Sequence, residues 1–234
     1  MDCRTCRGPV QAGFSRCYQC DLAHSRCGGL LADVVAPVAY AVKGGRLAGD
    51  LWRYKSGAAG ATEAGARLAA MLDRFLREYG GQVWRAADMT AGPGLAAVVP
   101  SGQGRPGPHP LFGIVASCVD VPIVPLAAAP GAVPRGRGLA DGVAASWLTV
   151  GVPVATVAGL PPGSADAGQV AGTDVLLVDD TWVSGSSAQS AAAALKAAGA
   201  RRVALVVLGR HVDPADPRSA EFLRRLRTRS ASIS

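Results

Sequence analysis

Several things are scarce in this chain of 234 residues, and each scarcity closes off a class of protein. Aromatic residues make up 5% of it, so there is little material for the stacking platforms that hold single-stranded nucleic acid. No apolar run approaches the roughly 18 residues that span a bilayer, which argues against a membrane-crossing helix. The opening MDCRTCRGPV lacks the basic-then-apolar layout of a secretory leader, so the expected location is the cytoplasm. Acids are short too: 17 Asp and Glu face 24 Lys and Arg, for a formal net charge of +7. That excess suits an anionic partner, a phosphorylated small molecule or nucleic acid. It is equally what a solvated basic surface gives, and RRLRTR (Arg224 to Arg229) carries a good part of it. No internal repeat is evident.

Apolar residues are plentiful at 49% against 18% charged, enough for a packed core. Five of the six cysteines fall in the first 27 residues, a stretch with little apolar periodicity. Such a segment cannot build a core alone and needs a staple. In a reducing compartment the staple is a metal and not a disulfide. Cys3 and Cys6 form one C-x-x-C pair, Cys17 and Cys20 a second. Two thiolate pairs on two tight turns supply four soft ligands for a tetrahedral, structural Zn²⁺ with no open position. Two redox pairs are the alternative, but nothing nearby reads as a strand-to-helix redox junction. His24 or Cys27 is a substitute ligand or an ordinary packing residue. Cys118, in an apolar stretch, reads as a small buried hydrophobe. The expected organisation is a zinc-binding ribbon over residues 1–30 and a second domain over 31–234.

Along that second domain VVAPVAY (Val34 to Tyr40) reads as a strand. Ala66, Ala69, Ala70, Leu72, Phe75 and Leu76 recur at helical spacing, with Gly80 and Gly81 as the expected stop. LAAVVP (Leu95 to Pro100) predicts a strand, LFGIVASCV a helix, VPIVPLA (Val121 to Ala127) another strand, and Val152 to Val157 a further one. Pro161 to Gly172 reads as a surface loop. DVLLVDD is a continuous apolar run, as in a parallel strand buried on both faces. SAQSAAAALKAA (Ser187 to Ala198) predicts a helix stopped by Gly199, and Arg201 to Arg210 a second buried strand. Strand, helix and strand in that order make a βαβ unit and hence a parallel sheet: the fold class is α/β. SAEFLRRLR (219 to 227) reads as a last short helix.

Two like charges end the DVLLVDD strand: Asp179 and Asp180. The C-terminal end of a parallel strand, followed by a loop and a helix N-terminus, is where α/β sheets bind ligands. The helix end suits a phosphate, and Thr181, Ser184, Ser186 and Ser187 add hydroxyl donors. Gly185 lets backbone approach an anion closely, and Val183 completes the turn. The acids would repel a phosphate directly. They fit the hydroxyls of a ribose, or a shared Mg²⁺. Sugar on the acids and phosphate on the loop together describe a phosphoribosyl group; a capping aspartate on a tight turn accounts for only one acid.

The stretch VLLVDDTWVSGSS resembles the diphosphoribosyl-binding signature of type I phosphoribosyltransferases: an apolar strand, two acids, then T-x-x-T-G-x-T, with Ser184 and Ser187 where threonine is usual. Four N-terminal cysteines, then Tyr40, Lys43, Tyr54 and Lys55, then this signature resemble the ComF family of competence-related phosphoribosyltransferase-like proteins. The resemblance implies a type I phosphoribosyltransferase fold behind a small zinc ribbon, with phosphoribosyl diphosphate and Mg²⁺ as ligands and a nucleobase-type acceptor. It also implies a pyrophosphate loop after the first strand of the domain's core. There Pro100 and Ser101 stand at the strand end and Arg105 for the family's arginine, while Pro108 and His109 replace its Phe-Asn pair. The family's Q-x-x-L…R-x-x-N cover segment has no match; Arg135 and Arg137 lie in that region without fitting it. Two functions follow. One is an enzyme in which Asp179 and Asp180 hold the ribose, residues 181 to 187 seat the 5′-phosphate, and Ser101 and Arg105 brace pyrophosphate. The other is a non-catalytic phosphoribosyl-binding module, with a nucleic-acid or competence-machinery partner.

Overall fold

The computed structural model describes residues 2–100, 109–128, 148–150 and 167–231. Its centre is a five-stranded parallel sheet built on the two continuous apolar runs. These are β6 (Asp174–Trp182) and β7 (Arg202–Val212), paired from Asp174↔Arg202 to Trp182↔Arg210. β1 (Val34–Val42) flanks β7; β2 (Leu95–Val98) flanks β6 and in turn carries β3 (Ile123–Val124). The order is β1-β7-β6-β2-β3. A separate antiparallel pair joins β4 (Leu126–Ala128) to β5 (Leu148–Val150).

Side chains alternate across a strand, so one run of apolar residues feeds two cores. Val175 and Leu177 of β6 with Val203, Leu205 and Val207 of β7 face α5 (Ser186–Ala197), which contributes Ala188, Ala191, Ala192 and Leu195. Leu176, Val178, Val206 and Leu208 point the other way, onto α2 (Arg46–Arg53), α3 (Ala61–Ala86) and α4 (Leu111–Ala116). Ala64, Leu68 and Leu72 recur every fourth residue along the buried stripe of α3. Helices on both faces of a parallel sheet make this an α/β fold. Among the described residues there are two further helices, α1 (Tyr18–Cys27) beside the cysteine turns and α6 (Pro217–Ala231).

Three expectations change. α3 does not stop at Gly80 and Gly81 but runs five residues past them, to Ala86. A glycine inside a helix costs about 1 kcal/mol, but continuing the helix buries Val83. Gly80 is itself buried against Trp84, where a Cβ would lie 3.4 Å from the indole. The stretch VPIVPLA is two strands in two sheets, because Pro125 has no N–H to continue the first ladder. Within the expected loop at 161–172, Ala167–Gln169 form a 3-10 turn and Val170 is fully buried. The expected strand at 152–157 lies outside the described residues.

Among the described residues no helix is long and apolar enough to cross a membrane.

Candidate active site

The chain leaves β6 through a short turn into α5 and returns as β7 on one side. It leaves β2 towards α4 and returns as β3 on the other side. β6 and β2 are neighbours, and α5 and α4 cover opposite faces of the sheet. This is a topological switch point: the connections diverge, and at such a point open α/β sheets place their ligand crevice, outside the strands' C-terminal ends. Asp179 and Asp180 stand there.

Asp180 is 5% exposed, and its surroundings explain how a carboxylate tolerates that. Lys55 Nζ lies 2.5 Å from its Oδ2. The Tyr54 hydroxyl donates to the same oxygen, and His109 Nε2 stands 3.7 Å away. His109 Nδ1 accepts the Leu111 amide at 3.1 Å, which leaves Nε2 as the nitrogen turned to the acid. These partners come from two elements. Tyr54 and Lys55 follow α2, which is pinned to α3 by buried Asp50, whose carboxylate accepts from Arg67 Nε at 3.0 Å and Nη2 at 2.6 Å. His109 ends the connection from β2 and precedes α4.

Asp179 points to the opposite face and, among the described residues, makes no ion pair. Its Oδ1 accepts the amide of Asp180 at 2.9 Å. Burial raises its pKa to about 8, with the charge of Asp180 adding to the rise and Lys55 opposing it. One member of the doublet is therefore paired with cations, and the other holds its proton well above the ordinary carboxylate range. The two acids are inequivalent, which their adjacency in sequence did not suggest.

The turn is tighter than expected, because β6 continues through Thr181 and Trp182. Thr181 is half-buried opposite Gly209, and only Val183, Ser184 and Gly185 lie between strand and helix. Val183 is 63% exposed at the tip. The Ser184 and Ser186 hydroxyls are 3.0 Å apart, and Ser187 is exposed in the first turn of α5. Gly185 occupies the left-handed region at φ +81, and a Cβ there would run into the Trp182 ring. It caps α5 without a side chain; the Ser186 amide donates to Ser184 Oγ at 3.4 Å, and the remaining first-turn N–H groups are the ones a ligand could take. Trp182, 2% exposed, is the floor beneath this turn.

On the same side of the sheet as α5 lie the cysteine turns. The sulfurs of Cys3, Cys6, Cys17 and Cys20 all lie within 4.8 Å of one another, and three of the four residues are buried. Cys6 and Cys17 Sγ are 3.8 Å apart, far beyond a disulfide bond and close to the spacing of about 3.8 Å that four Zn–S bonds of 2.3 Å impose on a tetrahedron. The Cys17 amide donates to Cys3 Sγ at 3.3 Å. The Cys6 thiol is drawn down to about 6, chiefly by Cys17 and Cys20, with Arg210 helping. The Cys20 thiol is pushed up, chiefly by Cys17. Four thiolates this close cannot all ionise without a cation among them, so the donor set fits a soft divalent metal. His24 and Cys27 do not join the cluster. Cys118 is half-buried against the α3 side of the core, with its thiol 3.5 Å from the Ala69 carbonyl.

The structure thus gathers Asp179, Asp180, Thr181, Val183, Ser184, Gly185, Ser186 and Ser187 at one strand end, and the four cysteines at one centre. Ser101 and Arg105, and likewise Arg135 and Arg137, lie outside the described residues. The quartet Tyr40, Lys43, Tyr54 and Lys55 divides. Tyr54 and Lys55 reach Asp180, whereas Tyr40 stacks edge-on against Phe222 and donates to the Arg7 carbonyl, and Lys43 pairs with Asp213 at 2.8 Å. Asp50 and Arg67, which hold α2 in place, were not foreseen; only the Asp and Arg spaced for helix-to-helix pairing hinted at them.

No family model and no curated protein matches this chain. Among solved structures it is similar to the purine phosphoribosyltransferase from Pyrococcus horikoshii Ot3, at 16% identity, covering 64% of this chain and 87% of that one, with a TM-score of 0.33. A likeness of that size assigns no residue and no substrate to this chain.

Proposed function

We propose that the chain is a phosphoribosyltransferase-like protein of the ComF type, working in the cytoplasm on phosphoribosyl diphosphate with Mg²⁺. The observation that carries this is the acid doublet at the switch point, followed by a hydroxyl-bearing turn and, six residues after Asp180, the N-terminus of α5. Asp179 and Asp180 take the ribose hydroxyls. Residues 181 to 187 take the 5′-phosphate through Thr181, Ser184, Ser186 and Ser187 and the first-turn amides of α5. The pyrophosphate falls to the connection after β2, where Ser101 and Arg105 are the expected contacts and His109 Nε2 faces the crevice. The C1–oxygen bond to pyrophosphate breaks and its electron pair leaves with that group, while an acceptor nitrogen, of nucleobase type, bonds to C1 and gives up its proton to the departing pyrophosphate or to water.

Mg²⁺ takes hard oxygen donors; Asp179, which has no Lys55 or Tyr54 bond to give up, and the ligand's own phosphates would hold it, and there it would neutralise charge on the leaving group. Zn²⁺ at Cys3, Cys6, Cys17 and Cys20 is structural, since four protein ligands leave no position for substrate. A ribbon over residues 1–30 and a catalytic domain over 31–234 remain the proposed division.

The test is pyrophosphate release, screened over free nucleobases with phosphoribosyl diphosphate and Mg²⁺. Turnover with one base, lost in Asp180→Asn, supports the enzyme. No release with any base, from a protein that still binds the ligand, leaves the binding module instead. A specific feature favours that second reading: Phe14 and Tyr18 are 60% and 70% exposed on the cysteine segment. The Arg4 amide bonds the Ser15 carbonyl, so exposed Arg4 belongs to the same segment as the residue after Phe14. Cations beside exposed rings suit single-stranded nucleic acid. A gel shift that weakens with salt would support such a partner.

A further inference from the structure

Arg210 lies on β7, away from the acid doublet, yet it is 9% exposed and buried between two features the sequence keeps far apart. On one side its Nη1 donates to the carbonyls of Trp182 at 3.1 Å and Val183 at 3.4 Å, and to His211 at 2.7 Å. The first two carbonyls are where β6 hands over to the turn before α5. On the other side the guanidinium lies flat against Gly8, where a Cβ would come within 2.6 Å of Nη2. Gly8 belongs to the first cysteine turn: its carbonyl accepts the Cys3 amide at 2.8 Å, and the Arg7 amide bonds the Cys3 carbonyl at 3.0 Å. The position of Gly8 is thus set by the same hairpin that presents Cys3 and Cys6. Arg210 Nε is buried with no hydrogen-bond partner among the described residues, so contact with the cysteine turn is not made through that donor. The charge of Arg210 acts on Cys6, and four thiolates around a divalent ion would carry a net charge of about −2. A guanidinium is the cation best suited to such a place, because it stays charged, is weakly hydrated and forks its donors.

We propose that Arg210 is a positioning residue that couples the four-cysteine centre to the turn Val183–Gly185, so that an intact centre holds this turn in its ligand-ready shape. A loaded centre keeps the cysteine turn pressed on the guanidinium, and the guanidinium keeps the Trp182 and Val183 carbonyls in place. The Trp182 ring reinforces the link, since it packs in one cluster with Cys3, Cys6 and Cys20 while flooring Gly185. The function assigned to the coupling rests on the turn being a phosphate seat; the coupling itself does not.

Hydrogen exchange on the full chain tests it, comparing peptides over 183–187 with peptides over 175–178 and 203–208. The states compared are the zinc-loaded wild type, the wild type after zinc removal, Gly8→Ala and Arg210→Lys. Zinc removal and each substitution should speed exchange at 183–187 about tenfold while β6 and β7 stay protected. Zinc removal from Arg210→Lys should add nothing at 183–187, because the connection is already cut. Gly8→Ala is the gentler variant: it keeps every cysteine and the Arg210 side chain itself, and acts by crowding the guanidinium. Unchanged exchange at 183–187 after zinc removal, additive effects in Arg210→Lys, or a uniform loss of protection across both strands in every altered state would each overturn the coupling. Phosphoribosyl diphosphate affinity, measured alongside, should fall about tenfold in Gly8→Ala. If the wild type binds none of that ligand, the functional reading fails while the exchange result still decides the coupling.

Discussion

Asp179 and Asp180 show how two identical residues, adjacent in sequence, acquire different chemistry from the faces they point to. Asp180 turns towards Tyr54, Lys55 and His109 and is compensated. Asp179 turns the other way, and burial holds its proton up to about pH 8. In the unfolded chain it ionises near 3.8. Between those values the unfolded state releases a proton that the folded state keeps, so this group's contribution to stability is fully present below about pH 4 and is lost as pH rises through 8. Asp179→Asn removes that dependence. Urea melts at pH 5 and pH 8 should show the variant gaining on the wild type as pH rises; a gap that stays constant or narrows would mean Asp179 is not held protonated. The doublet itself was legible in the sequence, because two acids closing an apolar run have no ordinary structural use. Its asymmetry was not, because the partners of Asp180 sit 71 and more residues away in the chain.

At the scale of elements, the βαβ unit from Asp174 to Val212 was read nearly to the residue, since continuous apolar runs around an alanine-rich helix allow few alternatives. The strand end was misjudged by two residues, as Thr181 and Trp182 stay in the ladder. Trp182, inside the stretch expected to seat phosphate, is the support under Gly185. Gly185→Ala would force a Cβ into the left-handed region, costing roughly 1–2 kcal/mol, and push it into that ring. We expect denaturant unfolding to give a total loss of about 3 kcal/mol and ligand binding to weaken with it. A loss below 1 kcal/mol would mean the turn is looser than described. α3 was misread for the opposite reason. Glycine pairs resemble stops, and only the tertiary burial of Val83 and Gly80 carries the helix on.

For the whole molecule, the sequence set the cysteine segment apart by composition, yet Cys3, Cys6 and Cys20 pack in one cluster with α5 and the central strands. The reason is not visible in a linear pattern: Gly8 reaches Arg210, and Tyr40 reaches Arg7, only once the sheet exists. A chelator should therefore do more than unravel residues 1–27. We expect the remaining fold to survive, with a melting temperature several degrees lower, because each kcal/mol shifts a domain of this size by about 2–4 °C. Metal analysis of reduced protein should find about one zinc per chain. An unchanged melting temperature after zinc removal would separate the two parts.

The central claim is that the crevice at the ends of β6 and β2 seats a phosphoribosyl group. Calorimetric titration of wild type and Asp180→Asn with phosphoribosyl diphosphate in Mg²⁺ tests it most directly. The account predicts saturable one-to-one binding by the wild type, weakened at least about tenfold in the variant. No binding by folded wild type, or equal affinity in both, would contradict it.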